Sequence, residues 1–378
     1  MAKSYDVIVV GGGAVGASAL YRLSERGIKK TLLIEAKKNL GRGSTGSWGS
    51  LIRVYHRNPR TTTLAAESVP FYLNFKERVG RCAGYVKTGS LYFLKRPALE
   101  GVCAQLSLLK GSGLNLEIIE ASEGKKRYPN FHWWEDDFAV FEPHAGYACP
   151  WDTTDAFVDT ARDAGAELEV DNAVVDFITT GNRLEGVVTR TGEEFYADRI
   201  VLATGAWSPN LCLKLGIELP IVTRVIQVNH FHRQTRETAD PFFIDLEART
   251  FGRPAPDGSF VGGCLKEETE KADALVQSIS LREAHEAKRR LSSRVSWIKN
   301  ASILGGVRAV EAYTGDLNGH LEYSTKYENL LLAVGWSCTG FTLAPVIGDR
   351  IADSIEKKAP SKNIWGIKAA QPLGEALA

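Results

Sequence analysis

The chain opens with a change of hydrophobic period. Residues 5–10 (YDVIVV) form a short apolar run followed by three glycines, which predicts a buried strand. Residues 14–26 carry Ala, Leu and Tyr at helical spacing, and Gly27 stands where a helix C-cap is expected. Residues 31–35 (TLLIE) return to a strand pattern. Strand, helix and strand within about 30 residues predict a βαβ unit with a parallel pair and a right-handed crossover.

Beyond this unit, α/β and β-rich stretches alternate. Residues 64–79 read as a helix, and residues 85–95 (YVKTGSLYFLK) as strands of another layer. Residues 153–164 predict a helix capped by Asp152 or Thr153. Residues 166–175, 183–189 and 194–196 predict strands, and 199–203 (RIVLA) a further, buried one. Residues 221–232 are β-rich, and 281–296 predict a charged helix with a solvated outer face. Residues 330–334 (LLLAV) predict a last buried strand, leading through a glycine-containing turn into a helix over 344–357. The α/β elements therefore fall at 1–50, 145–210 and 325–360, so one domain is assembled from separated segments. Residues 41–50 (GRGSTGSWGS) have no hydrophobic period, but Arg42, Trp48 and their place directly after a strand set them apart from a plain linker.

Composition narrows the classes. A chain of 378 residues suffices for about two domains. Its net charge of +1 argues against a broad nucleic-acid-binding surface. The 36 glycines exceed the average of roughly 7% and predict many tight backbone sites. Residues 7–20 have the length of a leader's apolar segment, yet Asp6 and the three glycines interrupt it and no cleavage site follows. No run approaches about 18 apolar residues, so the expectation is a cytoplasmic protein without a transmembrane segment. Cys82, Cys103, Cys149, Cys212, Cys264 and Cys338 form no C-x-x-C pair and fit no zinc template; they read as reduced thiols. His230 and His232 share a strand face, but no further ligands suggest a metal.

The chemistry gathers at three places. Gly11-x-Gly13-x-x-Gly16 lies between the first strand and the first helix, and Glu35 closes the second strand. Gly11 permits the tight turn, Gly13 lets backbone approach a pyrophosphate, and Gly16 lets helix and strand pack closely. The helix N-terminus offers N–H groups and partial positive charge to phosphates. Glu35 suits the ribose hydroxyls of an adenosine and would repel a 2′-phosphate. The strand, the helix and the acid together predict dinucleotide binding in a Rossmann-type domain. The second place is residues 200–207 (IVLATGAW), a strand ending in small residues. The third is residues 330–341 (LLLAVGWSCTGF) with the Ala344-Pro345-x-x-Gly348 that follows.

Together these places resemble the FAD-dependent D-amino acid oxidase superfamily, and within it the sarcosine oxidase and glycine oxidase branch. The resemblance covers nearly the whole chain. It includes Gly46-Ser47-x-Gly49 leading to Leu51-Ile52-Arg53, then Lys87-Thr88-Gly89-Ser90-Leu91, and Phe141-Glu142-Pro143-x-x-Gly146. It implies a mixed α/β (α+β) fold: an FAD-binding domain from 1–80, 145–220 and 325–378, interleaved with a β-rich substrate domain from 81–144 and 221–324. The implied FAD site comprises Gly11, Gly13, Ala14, Val15, Gly16, Glu35, Ala36, Arg42, Ser44, Thr45, Gly46, Ser47, Val174, Thr204, Gly205, Trp207, Gly335, Gly340, Phe341 and Thr342.

The implied reaction is oxidation of a C–N bond in a small or N-substituted amino acid or amine. A hydride would pass to the flavin, an imine would form, and oxygen would give hydrogen peroxide. Arg53 looks like the arginine that pairs with the substrate carboxylate in sarcosine oxidases. Arg308, in Gly306-Val307-Arg308, resembles the carboxylate-binding arginine of glycine and D-amino acid oxidases. Lys266, after Gly262-Gly263-Cys264-Leu265, is similar in position to the lysine that activates oxygen. Tyr55, Trp336, Thr339 and Thr342 are the expected pocket, with Trp48 beside it. Glu311 stands where monomeric sarcosine oxidases carry the cysteine bonded to flavin, so the FAD is expected to be non-covalent. Thr339 and Thr342 replace a histidine and a substrate-binding lysine, which puts strict sarcosine specificity in doubt. The rivals are a same-fold dehydrogenase passing electrons to a quinone or protein, an NAD(P)H-dependent flavin hydroxylase or reductase, and a silent flavin-binding subunit. The sequence carries no signal for oligomeric state.

Overall fold

The computed structural model describes residues 3–232, 240–265 and 278–357. Its first sheet is built on the strand Lys3–Val10. This strand pairs in parallel with Thr31–Ile34 on one side and with Glu194–Leu202 on the other. Thr31–Ile34 continues in parallel to Glu167–Glu169, and Glu194–Leu202 to Leu330–Val334. Two antiparallel additions complete the sheet. The hairpin of Val174–Thr180 and Arg183–Thr189 pairs with the first part of Glu194–Leu202, and His320–Tyr323 pairs with Leu330–Val334.

The near-continuous apolar strands are explained by burial on both faces. Val7 and Val9 point into a core shared with the helices Ala14–Glu25, Pro59–Leu73, Pro150–Asp163 and Gly340–Glu356. Ile8 and Val10 point the other way, into a core with Leu184, Val187 and Leu215, and Tyr5 reaches that cluster through the Phe195 ring.

Among the described residues, the second sheet has eight strands. In spatial order they are Ile303–Thr314, Ile221–Phe231, Phe260–Cys264, Thr250–Pro254, Phe242–Asp245, Ser90–Lys95, Asp137–Glu142 and Glu117–Glu120. All pairings are antiparallel except that of Phe242–Asp245 with Ser90–Lys95. Alternation again divides the faces: Leu91 and Phe93 pack toward Ala287 and Leu291 of the helix Leu281–Arg294, while Tyr92 and Leu94 face Leu51, Tyr55 and Phe242. That helix ends on Arg294. Its guanidinium is fully buried between Asp137 (2.6 Å) and Asp245 (2.7 Å) and donates to the His132 carbonyl. A small sheet of Leu51–Ile52, Gly146–Tyr147 and Val86–Lys87 completes the described strands.

The expected βαβ unit, interleaving and mixed α/β class are present. Five local expectations are corrected. The helix expected over 64–79 is two, Pro59–Leu73 and Phe75–Val79, and the strand expected over 166–175 is Glu167–Glu169, with the next strand starting at Val174. Residues 194–196 and 199–203 belong to one strand, Glu194–Leu202. The helix expected from Asp152 or Thr153 begins at Pro150, with Cys149 before it and proline in the first turn. The last helix begins at Gly340, so Pro345 lies inside it. Among the described residues, no helix is long and apolar enough to cross a membrane.

Candidate functional site

A cavity of about 700 Å³ lies at the carboxyl ends of four parallel strands of the first sheet, where Gly11, Glu35, Ala203 and Ala333 line it. Ligands of open α/β sheets bind at this edge. The fingerprint glycines show why a side chain is excluded. Gly11 has φ +107°, and a Cβ on it would stand 2.6 Å from the Ala203 carbonyl oxygen. A Cβ on Gly16 would stand 1.9 Å from the Gly11 oxygen. Gly13, the residue before the helix Ala14–Glu25, has no side chain to cap it, so the helix end faces the cavity with backbone; the Ala14 N–H donates to Thr45 Oγ1 at 3.1 Å. Glu35 is held as an acceptor by the N–H groups of Gly12 (2.6 Å) and Lys37 (2.8 Å). Burial pushes its carboxyl pKa up, and those two N–H groups oppose the rise. A bare helix N-terminus, an anchored carboxylate and glycines crowded from behind fit an adenine dinucleotide.

Around Glu35 the wall adds Ala36, Lys37, Val174, Val175, Arg190, Asn210 and Lys214. Arg42, Ser44, Thr45, Thr204, Gly205 and Trp207 line it as well. Residues 41–50 are therefore no linker. They contain the short helix Ser44–Ser47, and Ser44 Oγ donates to the Val310 carbonyl at 3.0 Å, joining the wall to the second sheet. Arg42 lies over the Trp151 ring.

Trp48, Ser50, Glu311, Ala312, Trp336, Ser337, Cys338 and Phe341 form another part of the wall. Here Glu311 accepts from Cys338 Sγ at 2.6 Å and from the Tyr313 hydroxyl at 3.2 Å, and the Tyr313 hydroxyl and Cys338 Sγ lie 2.7 Å apart. Burial raises the Glu311 carboxyl to about 7, while the thiol and phenol donors pull it down. Burial, then the Glu311 charge, holds the Cys338 thiol well above its ordinary range. Six described residues other than glycine have positive φ, and three of them, Ser50, Ser337 and Cys338, line the cavity. Strained backbone of this kind concentrates at functional sites.

Of the residues expected at the FAD site, Gly11, Gly13, Ala14, Val15, Glu35, Ala36, Arg42, Ser44, Thr45, Val174, Thr204, Gly205, Trp207, Gly340 and Phe341 line the cavity, and so does Trp336. The others stand behind the wall for local reasons. Gly16 packs on Gly11, and Gly46 on Gly41 and the Trp151 indole. Ser47 Oγ donates to Gly43. Gly335 supplies a turn with φ +74°. Thr339 Oγ1 donates to the Trp336 carbonyl at 2.6 Å, and Thr342 Oγ1 to the Leu51 carbonyl at 2.7 Å, so both hydroxyls serve the backbone.

Arg53 is half-buried outside this wall. It donates to the Tyr55 carbonyl and lies over the Tyr92 ring at 5.2 Å. Burial lowers its pKa; Tyr92, Glu142 and Tyr55 oppose this, and the Cys338 side chain is close enough to contribute. Glu142 beneath it accepts from the N–H groups of Val54 (2.6 Å) and Tyr55 (2.9 Å), and burial raises its carboxyl to about 7. Tyr55 packs edge-on to Tyr92. Arg308 is away from the cavity wall, in an ion pair with Glu283 at 3.3 Å. Lys266 lies outside the described residues.

Sequence reasoning treats Glu311 only as a missing thioether and Cys338 as one more reduced thiol. The signal available was the pairing of a carboxylate and a tyrosine two residues apart on one strand, which places both on the same face.

The description "FAD dependent oxidoreductase" (DAO) matches residues 6–354. The monomeric sarcosine oxidase of Streptomyces avermitilis is 26% identical over 376 residues, covering 93% of this chain and 94% of that protein. The 4-methylaminobutanoate oxidase (formaldehyde-forming) of Paenarthrobacter nicotinovorans is 24% identical over 93% of this chain, which spans only 44% of that longer protein. Among solved structures, L-proline dehydrogenase from P. horikoshii superposes with a TM-score of 0.86 at 24% identity, covering 96% of each chain. Glycine oxidase from Bacillus cereus superposes with a TM-score of 0.79 at 20% identity, covering 97% of this chain and all of that one. These structural likenesses show the fold. The family match spans the fingerprint, the acid that follows it and the last strand-to-helix turn, the same places that build the cavity. The chain belongs to the FAD-dependent oxidoreductase (DAO) family, and its cofactor is FAD.

Proposed function

We propose that the protein is an FAD-dependent oxidase of a small or N-substituted amino acid. The observation that carries this reading is Arg53: a half-buried guanidinium that donates one hydrogen bond to the Tyr55 carbonyl, close to the Cys338 part of the cavity. Both oxygens of neighbouring Glu142 are engaged by backbone N–H groups. A planar guanidinium with donors to spare suits a substrate carboxylate. When bound, FAD supplies the acceptor for a hydride from the carbon beside nitrogen, which leaves an imine, and the route of that electron pair to oxygen as hydrogen peroxide. The chain's own part is to hold and orient. Arg53 fixes the carboxylate, Trp48 and Trp336 bound the cavity beside the Cys338 turn, and the apolar wall excludes water. The division into an FAD-binding domain (1–80, 145–220, 325–378) and a substrate domain (81–144, 221–324) belongs to this reading. His320–Tyr323 crosses it by pairing with the first sheet. So does a cytoplasmic setting, for which the six free cysteines are the support.

A second reading is a dehydrogenase that discharges to a quinone or protein, supported by the likeness to L-proline dehydrogenase. One experiment tests both. The FAD-loaded protein is mixed anaerobically with a panel of amines and amino acids, and bleaching of the oxidised flavin band is followed. The reduced protein is then exposed to oxygen or to a quinone. Bleaching by amino acids with fast reoxidation by oxygen is expected. Fast discharge to quinone alone selects the dehydrogenase. No bleaching by any amine overturns both and leaves a silent flavin-binding subunit.

A further inference from the structure

We propose that Glu311, held by Cys338 and Tyr313, takes up a proton when the bound cofactor is reduced, and so ties the cofactor's reduction potential to pH. The geometry is a closed triangle on the cavity wall. Cys338 Sγ and the Tyr313 hydroxyl both donate to one Glu311 oxygen, at 2.6 and 3.2 Å, and they lie 2.7 Å from each other. Each element packed on Glu311 contributes to its setting. From its own strand comes Tyr313. From the paired strand Ile221–Phe231 comes Arg224, in register opposite Glu311, with its guanidinium over the Tyr313 ring at 4.7 Å. From the turn after Leu330–Val334 comes Cys338, which also senses Arg224 and is in turn felt by Arg53. The short helix Ser44–Ser47 and the turn Gly205–Trp207, which also pack on this strand, carry no titratable group.

The charge balance is simple. Arrival of a hydride adds one negative charge to the bound cofactor. The buried carboxylate then binds one proton from solvent, Glu–COO⁻ + H⁺ giving Glu–COOH, and the net charge of the cavity is restored. Burial has already brought Glu311 to about 7, so the switch falls near neutral pH. A new charge within about 10 Å, at an effective dielectric of about 20, strengthens proton binding by roughly tenfold. The electrons come from the amine in turnover and from a photochemical reductant in the test, so the measurement needs no substrate. Its outcome is therefore separate from that of the proposed function.

The test is the midpoint potential of the FAD-loaded protein against a reference dye from pH 5.5 to 9, for wild type and Glu311→Gln. Wild type is expected to fall by about 30 mV more than Glu311→Gln in total, with the extra slope peaking at about 15 mV per pH unit between roughly pH 7 and 8. Cys338→Ala removes a donor that holds the carboxyl down, so the steep window is expected to move to higher pH while keeping its slope. Glu311→Asp keeps a carboxylate and is expected to keep a window. It decides the matter if Glu311→Gln loses FAD. Parallel lines for wild type and Glu311→Gln, or no window in either carboxylate-bearing variant, overturn the proposal.

Discussion

Gly11→Ala is the sharpest perturbation of the cofactor site. The Gly11 N–H donates to the Ile34 carbonyl at 2.8 Å, and the Ala203 N–H donates to the Val10 carbonyl at 2.9 Å, so three strand ends are locked around this residue. A Cβ would meet the Ala203 oxygen at 2.6 Å and the Ala203 carbon at 2.9 Å, both backbone atoms that no rotamer change can move. The strand ends must part by roughly 0.8 Å to reach ordinary contact near 3.4 Å. The φ of +107° adds strain for any side chain, about 1–3 kcal/mol, and the overpacking adds about 1–3 kcal/mol more. If about 2 kcal/mol of this total falls on the cofactor-binding edge, FAD affinity drops about 30-fold. The assay is titration of apoprotein with FAD by flavin fluorescence, paired with thermal melting at fixed excess FAD. The ligand-dependent rise in melting temperature should shrink as the dissociation constant grows. Gly27→Ala is the control: φ is +77°, yet nothing lies within 4 Å of the added atom, so it strains the chain without touching the cavity. Affinity in Gly11→Ala within threefold of wild type, or an equal loss in Gly27→Ala, refutes the reasoning.

Arg294→Met removes the cation between Asp137 and Asp245, whose side chains are 1% exposed. Lys95 still pairs with Asp137 at 3.0 Å, so Asp245 is the carboxylate left without a cation; the loss is expected to be about 3–5 kcal/mol in chemical denaturation, with hydrophobic replacement of Arg294 and Asp245 together recovering much of it. Glu142 and Glu311 both have carboxyl pKa values raised to about 7, so the folded apoprotein holds protons that the unfolded chain has lost. Stability from these groups is full below the usual carboxylate range and declines as pH rises to about 7. Glu142→Gln and Glu311→Gln should each flatten that decline by up to about 1.4 kcal/mol per pH unit. Arg53→Met should raise the apparent dissociation constant for a carboxylate substrate tens-fold or more, a loss of about 2–5 kcal/mol, with FAD retained. Arg308→Met should change it little, because Arg308 is paired with Glu283; the reverse order in anaerobic titrations would exchange the two roles. Acid precipitation of the holoprotein should release the FAD into the supernatant, and a flavin-labelled peptide from residues 305–316 would show a covalent bond instead.

What the sequence revealed was what short-range rules encode. The fingerprint was legible because strand, glycines, helix and acid lie within one local unit. The strand Glu194–Leu202 reads as two in the sequence because Ala197 and Asp198 fall between its two apolar stretches. They lie where the strand changes neighbours, from Arg183–Thr189 on its first part to Leu330–Val334 on its last. The start of the last helix was misread through Pro345. Proline there removes the N–H that would reach the Phe341 carbonyl. That carbonyl instead accepts the Tyr72 hydroxyl at 2.5 Å, from a helix some 270 residues earlier in the chain, which no local rule discloses. The strands Phe242–Asp245, Thr250–Pro254 and Phe260–Cys264 escaped for a similar reason. They are short and partly glycine-bearing, and what holds them is ring packing across the sheet: a Cβ on Gly252 would strike the Phe260 ring at 2.3 Å.

The same distinction explains why the Glu311 cluster reads poorly from sequence and well from structure. Ser337 and Cys338 are consecutive left-handed residues without a glycine between them, a conformation that costs about 1–3 kcal/mol for each. Its support comes from the second sheet. The Ser337 N–H donates to the Ala312 carbonyl at 3.0 Å, Ser337 Oγ accepts from the Thr314 N–H at 3.2 Å, Tyr313 and Trp336 form a β-bridge, and Cys338 donates to Glu311. The turn that bounds the FAD cavity is thus fastened along one strand of the other sheet, over Glu311, Ala312, Tyr313 and Thr314. A chain with no second sheet would have no reason to hold that turn, and a cavity without the turn would leave Glu311 open to solvent with an ordinary acidity. The strained turn, the buried carboxylate and the junction of the two sheets are one structural feature, and cofactor charge can act on all three together.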